Sequence, residues 1–323
     1  MFFWSALCYN RVTPLQAVFS GLPDAEEGAG EFASANSLMD GVHGMVKPNT
    51  AFSLHRFGWL AVFCLFLIGW VPAVQARQSQ PILRVAAAAD LSKAFKEVAD
   101  AYQRETGQLV KLTFGATGQL TQQIEHGAPF DVFAAANESY IADLDKQDLL
   151  LPDTRQVYAI GRLALWTRKG GPPCPRSLAD LTQPRYAHIA IANPKVAPYG
   201  KAAQEALEAA RLWDTLQSRL VYGENIQQTL QFAQSGNADV ALISLSLAKD
   251  SGGSTVLVPE KLYTPLRQAL AVVKSTSQPE AARRFAAFVA GPKGRAILKK
   301  YNFALPETPK PSRRAASEPP HRS

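Results

Sequence analysis

The sequence contains few of the residues from which catalytic and metal centres are usually built. Its 323 residues include only three cysteines and five histidines, and no two histidines have the spacing of a metal-binding pair. It has no Cys-x-x-Cys motif, no Gly-x-Ser-x-Gly motif, and no glycine-rich loop that ends in Gly-Lys-Ser or Gly-Lys-Thr. These absences argue against a zinc centre, a dithiol centre, an α/β-hydrolase nucleophile and a P-loop.

The sequence also lacks a dominant cluster of charge. The formal net charge is +7, and the lysines and arginines are scattered along the chain. The densest basic group lies near the C-terminus and consists of Lys293, Arg295, Lys299 and Lys300. We therefore expect a solvated basic surface that attracts anions weakly, and no nucleic-acid partner.

One long apolar run lies in the N-terminal part of the chain, from Trp59 to Val74, and Arg56 precedes it. The run ends with small residues ahead of a cleavage point after Ala76. This layout predicts a secretory signal peptide over residues 55–76, and hence a periplasmic protein. The alternative is a transmembrane anchor. The run is short for a hydrocarbon core of about 30 Å, and Pro72 with the small residues favours cleavage.

The outer segments differ in character from the centre of the chain. Residues 1–54 precede the signal and have no sustained periodicity, so we interpret them as a non-native or disordered extension, with translation starting at Met45. Residues 306–323 are rich in Pro, Ser and Arg and are expected to form a disordered tail. After cleavage Cys174 is the one cysteine left, so no internal disulfide can form and stability depends on the core.

Strands alternate with helices through the centre of the chain. Apolar, β-prone runs such as Ile82–Ala89 and Val132–Ala135 are followed by stretches with helical periodicity, several of which end at glycine. The alternation occurs twice, with a break near residues 160–170. This pattern predicts an α/β fold with two halves, each a mainly parallel sheet flanked by helices.

Four short stretches lie where a strand or loop gives way to a predicted helix. The first turn of a helix has unpaired backbone N–H groups and a partial positive charge. Several such turns that meet at one point can hold a small anion without a charged side chain. Each stretch alone is equally compatible with an ordinary turn or cap. The stretches are Ala87-Ala88-Ala89-Asp90, Gly115-Ala116-Thr117-Gly118, Ala197-Pro198-Tyr199-Gly200 and Glu224-Asn225-Ile226-Gln227.

At these residues the chain resembles the periplasmic molybdate-binding proteins that supply ATP-driven importers, the ModA family. The resemblance covers roughly residues 82–305. The segments that carry it are Ala86-Ala87-Ala88-Ala89-Asp90-Leu91, Gly127-Ala128-Pro129-Phe130-Asp131-Val132-Phe133, Ile189-Ala190-Ile191-Ala192-Asn193-Pro194, Ala197-Pro198-Tyr199-Gly200, Ala238-Asp239-Val240-Ala241 and Gly291-Pro292-Lys293-Gly294.

The resemblance implies a two-lobe periplasmic-binding-protein fold of type II with a two-strand hinge. Lobe 1 would comprise residues 82–160 and 269–305, and lobe 2 residues 161–268. The lobes would close on the anion, and the closed form would dock on the membrane permease of an ABC importer. The resemblance further implies a monomer that has no cofactor and catalyses nothing.

The family binds its dianion through hydroxyls and backbone amides, which implies Asp90, Thr117, Tyr199 and Ile226 as the ligand-binding residues. Thr117 would donate through its hydroxyl and amide, Tyr199 through its phenol, and Ile226 through its amide alone. These groups would contact the oxygens of molybdate or tungstate, and none would ligate the metal directly. Ser244 occupies the position at which another branch of the family has tyrosine, and we expect no such contact from it.

Asp90 departs from the family pattern, because many relatives have Ser or Asn there and an ionised carboxylate can only accept hydrogen bonds. We predict that the amide of Asp90 faces the ligand while its carboxylate turns away to cap its own helix. Replacement of Asp90 by Ser should then keep or improve affinity.

Two alternatives to molybdate binding stay open. The first is another anion such as sulfate, phosphate or an organic anion. Phosphate often carries a proton, for which Asp90 could be the acceptor. The second is a secreted hydrolase of anionic esters that uses the same helix starts as an oxyanion hole. The sequence has no evident nucleophile–base pair for it.

Overall fold

The computed structural model describes residues 81–307. The predicted N-terminal extension, the predicted signal peptide and residues 308–323 of the predicted tail lie outside this range. Among residues 81–307, no helix is both long enough and apolar enough to cross a bilayer.

The described chain consists of strands and helices that mostly alternate. The strands are β1 (Leu83–Ala88), β2 (Val110–Gly115), β3 (Val132–Ala135), β4 (Gln156–Gly161), β5 (Leu163–Arg168), β6 (Ile189–Ala192), β7 (Leu220–Gly223), β8 (Val240–Ser244), β9 (Gly253–Leu257) and β10 (Leu266–Val272). The helices are α1 (Ser92–Thr106), α2 (Thr117–Glu125), α3 (Glu138–Lys146), α4 (Pro198–Ala209), α5 (Trp213–Leu216), α6 (Ile226–Ser235), α7 (Leu245–Ala248), α8 (Pro279–Ala290) and α9 (Pro292–Lys300). Short 3-10 turns lie at Ala89–Leu91, Leu178–Thr182, Gln217–Arg219 and Glu260–Leu262.

The strands form two five-stranded sheets, one for each lobe of the predicted two-lobe α/β fold. The first sheet has the order β2-β1-β3-β10-β4 and the second the order β7-β6-β8-β5-β9. Strand β1 is parallel to β2 and β3, and β6 is parallel to β7 and β8. Parallel neighbours need crossover connections, and the helices between them supply these.

The predicted mainly parallel sheets are confirmed, and each is a mixed sheet in which one strand runs opposite to the other four. Strand β10 is antiparallel to β3 and β4, and β5 is antiparallel to β8 and β9. The cause is the way in which the chain passes between the sheets. Strand β4 leaves the first sheet and only Arg162 separates it from β5, while β10 brings the chain back. A strand that leaves and a strand that returns lie side by side in opposite directions.

Helix α1 shows how the sequence pattern produces the packing of the first lobe. Its residues Phe95, Val98 and Tyr102 recur at helical spacing and are buried. Tyr102 meets Phe285 of α8 edge to face, with ring centroids 5.2 Å apart. The helix ends at Gly107, whose φ of 74° is the left-handed conformation that favours glycine at a helix terminus.

Direct hydrogen bonds join the two lobes. The amide of Gly118 in α2 donates to the carbonyl of Val196 at 2.8 Å. The hydroxyl of Ser246 in α7 donates to the carbonyl of Asp90 at 2.9 Å. The ammonium of Lys93 in α1 donates to the carbonyl of Leu247 at 3.0 Å. Because these hydrogen bonds cross from one lobe to the other, the two lobes are closed on each other.

Candidate functional site

The four stretches singled out in the sequence meet at one small space between the lobes. The cavity volume open to water-sized molecules is about 10 Å³. That is below the roughly 300–1,000 Å³ of pockets that hold drug-sized molecules, so the space suits a small ligand. The residues that line it are Ala88, Ala89, Asp90, Gly115, Ala116, Thr117, Ala136, Ala197, Pro198, Tyr199, Asn225 and Ile226.

Three of the helical segments that begin at this space have alanine at the N-cap position. Ala88 precedes the 3-10 turn at Ala89–Leu91, Ala116 precedes α2 and Ala197 precedes α4, and none of these starts has a side-chain cap. Alanine is a poor N-cap that costs about 0.5–2 kcal/mol relative to Ser, Thr, Asp or Asn. The first amides of these segments are therefore left for a partner from outside the helix.

The fourth helix start is capped in a way that spares one amide. The side chain of Asn225 accepts hydrogen bonds from the amides of Gln227 at 3.0 Å and Gln228 at 3.1 Å. Ile226 is the first residue of α6, and its amide has no acceptor within the helix. Since its side chain is apolar, Ile226 can contribute only this amide to a ligand.

Thr117 is the first residue of α2 and is 1% exposed. Its Oγ1 accepts a hydrogen bond from the amide of Ala136 at 3.2 Å, just after β3 ends. A hydroxyl that accepts in this way keeps its own hydrogen for donation. Thr117 can therefore offer both a hydroxyl and an amide to an anion.

The phenol of Tyr199 belongs to a buried network of polar side chains. Nε2 of Gln268 in β10 donates to the hydroxyl of Tyr199 at 3.2 Å and also to Oδ2 of Asp90. Oε1 of Gln268 accepts from the hydroxyl of Tyr158 at 3.0 Å. Burial, and then the nearby charge of Asp90, raise the pKa of Tyr199 well above its usual value. The phenol therefore stays protonated, and its hydrogen can be donated to a ligand.

The predicted capping role of the Asp90 carboxylate is wrong. A 3-10 turn at Ala89–Leu91 intervenes before α1, and neither segment has a side-chain cap. The Asp90 side chain is instead buried with 1% exposure and accepts from Gln268. Burial raises its pKa to about 6, while the neighbouring Gln268 and Tyr199 lower it by less. The stability contributed by the neutral carboxyl is therefore complete below about pH 4 and is lost as the pH rises through about 6.

Gln268 and Gly161 belong to the site but were not predicted from the sequence. Gln268 is fully buried in a strand that is otherwise mostly apolar, and a lone amide in such a run was the available signal. Gly161 ends β4, and a Cβ there would lie 2.1 Å from the hydroxyl of Tyr199. Ser244 is buried, accepts from Ser246 at 3.0 Å, and is not among the residues that line the space.

The lining residues suit an anion better than a cation. They include no lysine or arginine, and Asp90 is their one acidic member. Within residues 81–307 there is no group of three or more His, Cys, Asp or Glu that could hold a metal ion. Amides and hydroxyls that converge from both lobes can donate hydrogen bonds to the oxygens of a small anion.

Comparisons with known proteins agree with this geometry. The family model for bacterial extracellular solute-binding proteins matches residues 83–304. The molybdate-binding protein ModA of Azotobacter vinelandii is 37% identical over 237 residues, which are 72% of this chain and 92% of the relative. The ModA of Rhodobacter capsulatus is 34% identical over 68% of this chain and 86% of its own length.

Solved structures give the same result. The periplasmic molybdate-binding protein of Azotobacter vinelandii superposes with a TM-score of 0.66 at 33% identity, covering 70% of this chain and all of that one. The sulfate-binding protein SubI of Mycobacterium tuberculosis, with 18% identity and a TM-score of 0.60 over 69% of this chain and 86% of its own, shares the fold. The chain therefore belongs to the bacterial extracellular solute-binding proteins and, within them, to the ModA family.

Proposed function

We propose that this protein captures molybdate, and also tungstate, in the periplasm and delivers it to the permease of an ABC importer. The observation that carries the proposal is the set of uncapped helix starts at Ala88, Ala116 and Ala197, which line one space together with Ile226. Three poorly capped helix starts at one point lower the stability of the fold unless a ligand accepts hydrogen bonds from their free amides. The names of the ModA relatives specify which ligand.

Neutral donors suit a dianion that must be both held and released. Backbone amides are fixed by the fold, so they lose little conformational freedom when a ligand binds. Hydrogen bonds from amides and hydroxyls to a charged acceptor are about twice as strong as neutral ones. We infer that Asp90 contributes its backbone amide, Thr117 its amide and hydroxyl, Tyr199 its amide and phenol, and Ile226 its amide.

We infer that the protein works by opening and closing. The lobes predicted from the sequence would move about the connections at Arg162 and at residues 258–265. Hydrogen bonds such as Gly118 to Val196 form across the lobes. A ligand that contacts both lobes favours the closed state. The closed monomer then docks on the permease, and the protein itself catalyses no reaction.

A panel of oxyanions tests the ligand assignment. The thermal stability of the purified protein should rise with molybdate and tungstate, and much less with sulfate or phosphate. At about 100 times its Kd a ligand stabilises the folded state by ~2.7 kcal/mol, which is easily measured. A larger shift with sulfate or phosphate than with molybdate would reassign the ligand, and no shift with any oxyanion would contradict the proposal.

The variants Thr117→Ala and Tyr199→Phe test the donors in the same assay. Each removes a hydroxyl from the site, and a hydrogen bond to a charged group contributes about 1.5–3 kcal/mol. We expect each variant to weaken molybdate binding by roughly 10- to 100-fold in calorimetry. Matched controls are Thr182→Ala and Tyr222→Phe, which alter side chains outside the site. Unchanged affinity in both site variants would show that the donor assignment is wrong.

A further inference from the structure

The carboxyl group of Asp90 has an oxygen without a partner. Oδ2 accepts from Gln268, but Oδ1 is buried and has no hydrogen-bond partner in the described part of the chain. The side chain is 1% exposed, and Asp90 lines the same space as the four helix starts. A buried carboxylate oxygen that lacks a donor is costly, so it requires an explanation.

Among residues 81–307, no cation pairs with this carboxyl. The groups that face it are neutral: Gln268 from β10, Tyr199 from α4, and Tyr158 beyond Gln268 from β4. From α7, the hydroxyl of Ser246 donates to the backbone carbonyl of Asp90. Lys93 lies one turn along the chain, but its ammonium donates to the carbonyls of Leu247 and Lys249.

A dianion in this space would face a like charge at close range. Two negative groups that share a buried site cannot both remain fully ionised, and the affinity of the pair for a proton rises strongly. Amides and hydroxyls stabilise the anion but cannot cancel the repulsion from Asp90. A single proton removes that repulsion and also gives Oδ1 its missing partner.

We propose that the site binds its oxyanion together with one proton, which lies in a hydrogen bond between Oδ1 of Asp90 and an oxygen of the anion. This inference rests on the proposed function and names the state of the ligand that the site accepts. The proton comes from solvent, so the protein, the dianion and one proton combine in a single binding step. No covalent bond of the anion changes.

The anion-free protein is already prepared for this step. Burial raises the pKa of Asp90 to about 6 even without a second negative charge beside it. The carboxyl is therefore largely ionised at pH 8 and must take up a proton when the anion binds. By linkage, the affinity for molybdate should fall, and its Kd rise, by about 50-fold between pH 6 and pH 8.

Calorimetry of the purified protein with sodium molybdate tests the inference. Titrations at pH 8 in Tris and in HEPES, whose ionisation enthalpies differ, give the number of protons taken up. We expect about one proton per molybdate for the wild type and none for Asp90→Asn. The Asn variant should bind with nearly the same Kd at pH 6 and pH 8. Asp143→Asn, which alters an exposed carboxylate paired with Lys146, is the matched control and should behave as the wild type does.

The possible results separate the inference from the proposed function. Molybdate binding without proton uptake in the wild type overturns the inference and leaves the function intact. The wild-type proton count decides this even if Asp90→Asn fails to fold, and Asp90→Ser provides a second variant. Equal proton uptake in the wild type and a folded Asp90 variant also overturns it. The absence of heat with molybdate and tungstate overturns the function and the inference together.

Discussion

Replacement of Gly161 by alanine should weaken molybdate binding by about 100-fold, which corresponds to roughly 2.7 kcal/mol. A Cβ at this position would lie 2.1 Å from the hydroxyl of Tyr199 and 2.9 Å from Nε2 of Gln268. Both side chains are buried, so neither can turn away into solvent. The overlap therefore displaces the phenol from the site and breaks its hydrogen bond with Gln268.

Calorimetry and chemical denaturation together measure this effect. Overpacking of a buried position costs about 1–3 kcal/mol of stability, so the variant should still fold. Gly291→Ala, at the junction of α8 and α9, is the control and should leave affinity unchanged. In the Tyr199→Phe background the atom with the closest overlap is gone, so Gly161→Ala should cost less there. Strictly additive losses in this double-mutant cycle would show that the overlap is not the cause.

The second large expected effect is a loss of stability without a change in ligand affinity. Phe285→Ala should lower the free energy of unfolding by about 3–5 kcal/mol, because it removes a fully buried aromatic ring from the core of the first lobe. The ring centroid of Phe285 lies 6.5 Å from that of Phe95 and 5.2 Å from that of Tyr102, both edge to face. Phe285 does not line the ligand space, so molybdate affinity should stay within about twofold at temperatures where the variant is folded.

Urea denaturation without ligand measures the loss. Phe288→Ala is the matched control. Its ring also packs on Tyr102, at 5.3 Å, but Phe288 is only partly buried, and its removal should cost less. Equal losses for the two variants would contradict the proposed core of α1 and α8. A large loss of affinity in Phe285→Ala would show that core and site are coupled.

Strands and helices with clear periodicity could be predicted from the sequence, whereas two edge strands could not. The predicted strand at Val132–Ala135 has the observed limits. Strands β7 and β9 were missed, because they form the two edges of the second sheet and are mostly not buried. Tyr222 in β7 is 44% exposed, and most of β9 is exposed. Burial on one face or both is what gives a strand its pattern in the sequence.

Part of the candidate site could also be read from the sequence. Helix starts after strands are local features, and the structure brings Asp90, Thr117, Tyr199 and Ile226 to one space. That these four contact a ligand stays a prediction. The role of Gln268 depends on the antiparallel return of β10 and on a bulge at Gln268/Ala269, which are features of tertiary structure.

In the proposed closed state, donors from both lobes surround one oxyanion. Crystals grown with molybdate, measured on either side of the molybdenum absorption edge, locate the metal directly. We predict one anomalous peak between the two lobes, with molybdate oxygens within about 3.2 Å of the amides of Thr117, Tyr199 and Ile226. A peak elsewhere on the protein, or an anion held by the donors of one lobe only, would contradict the account.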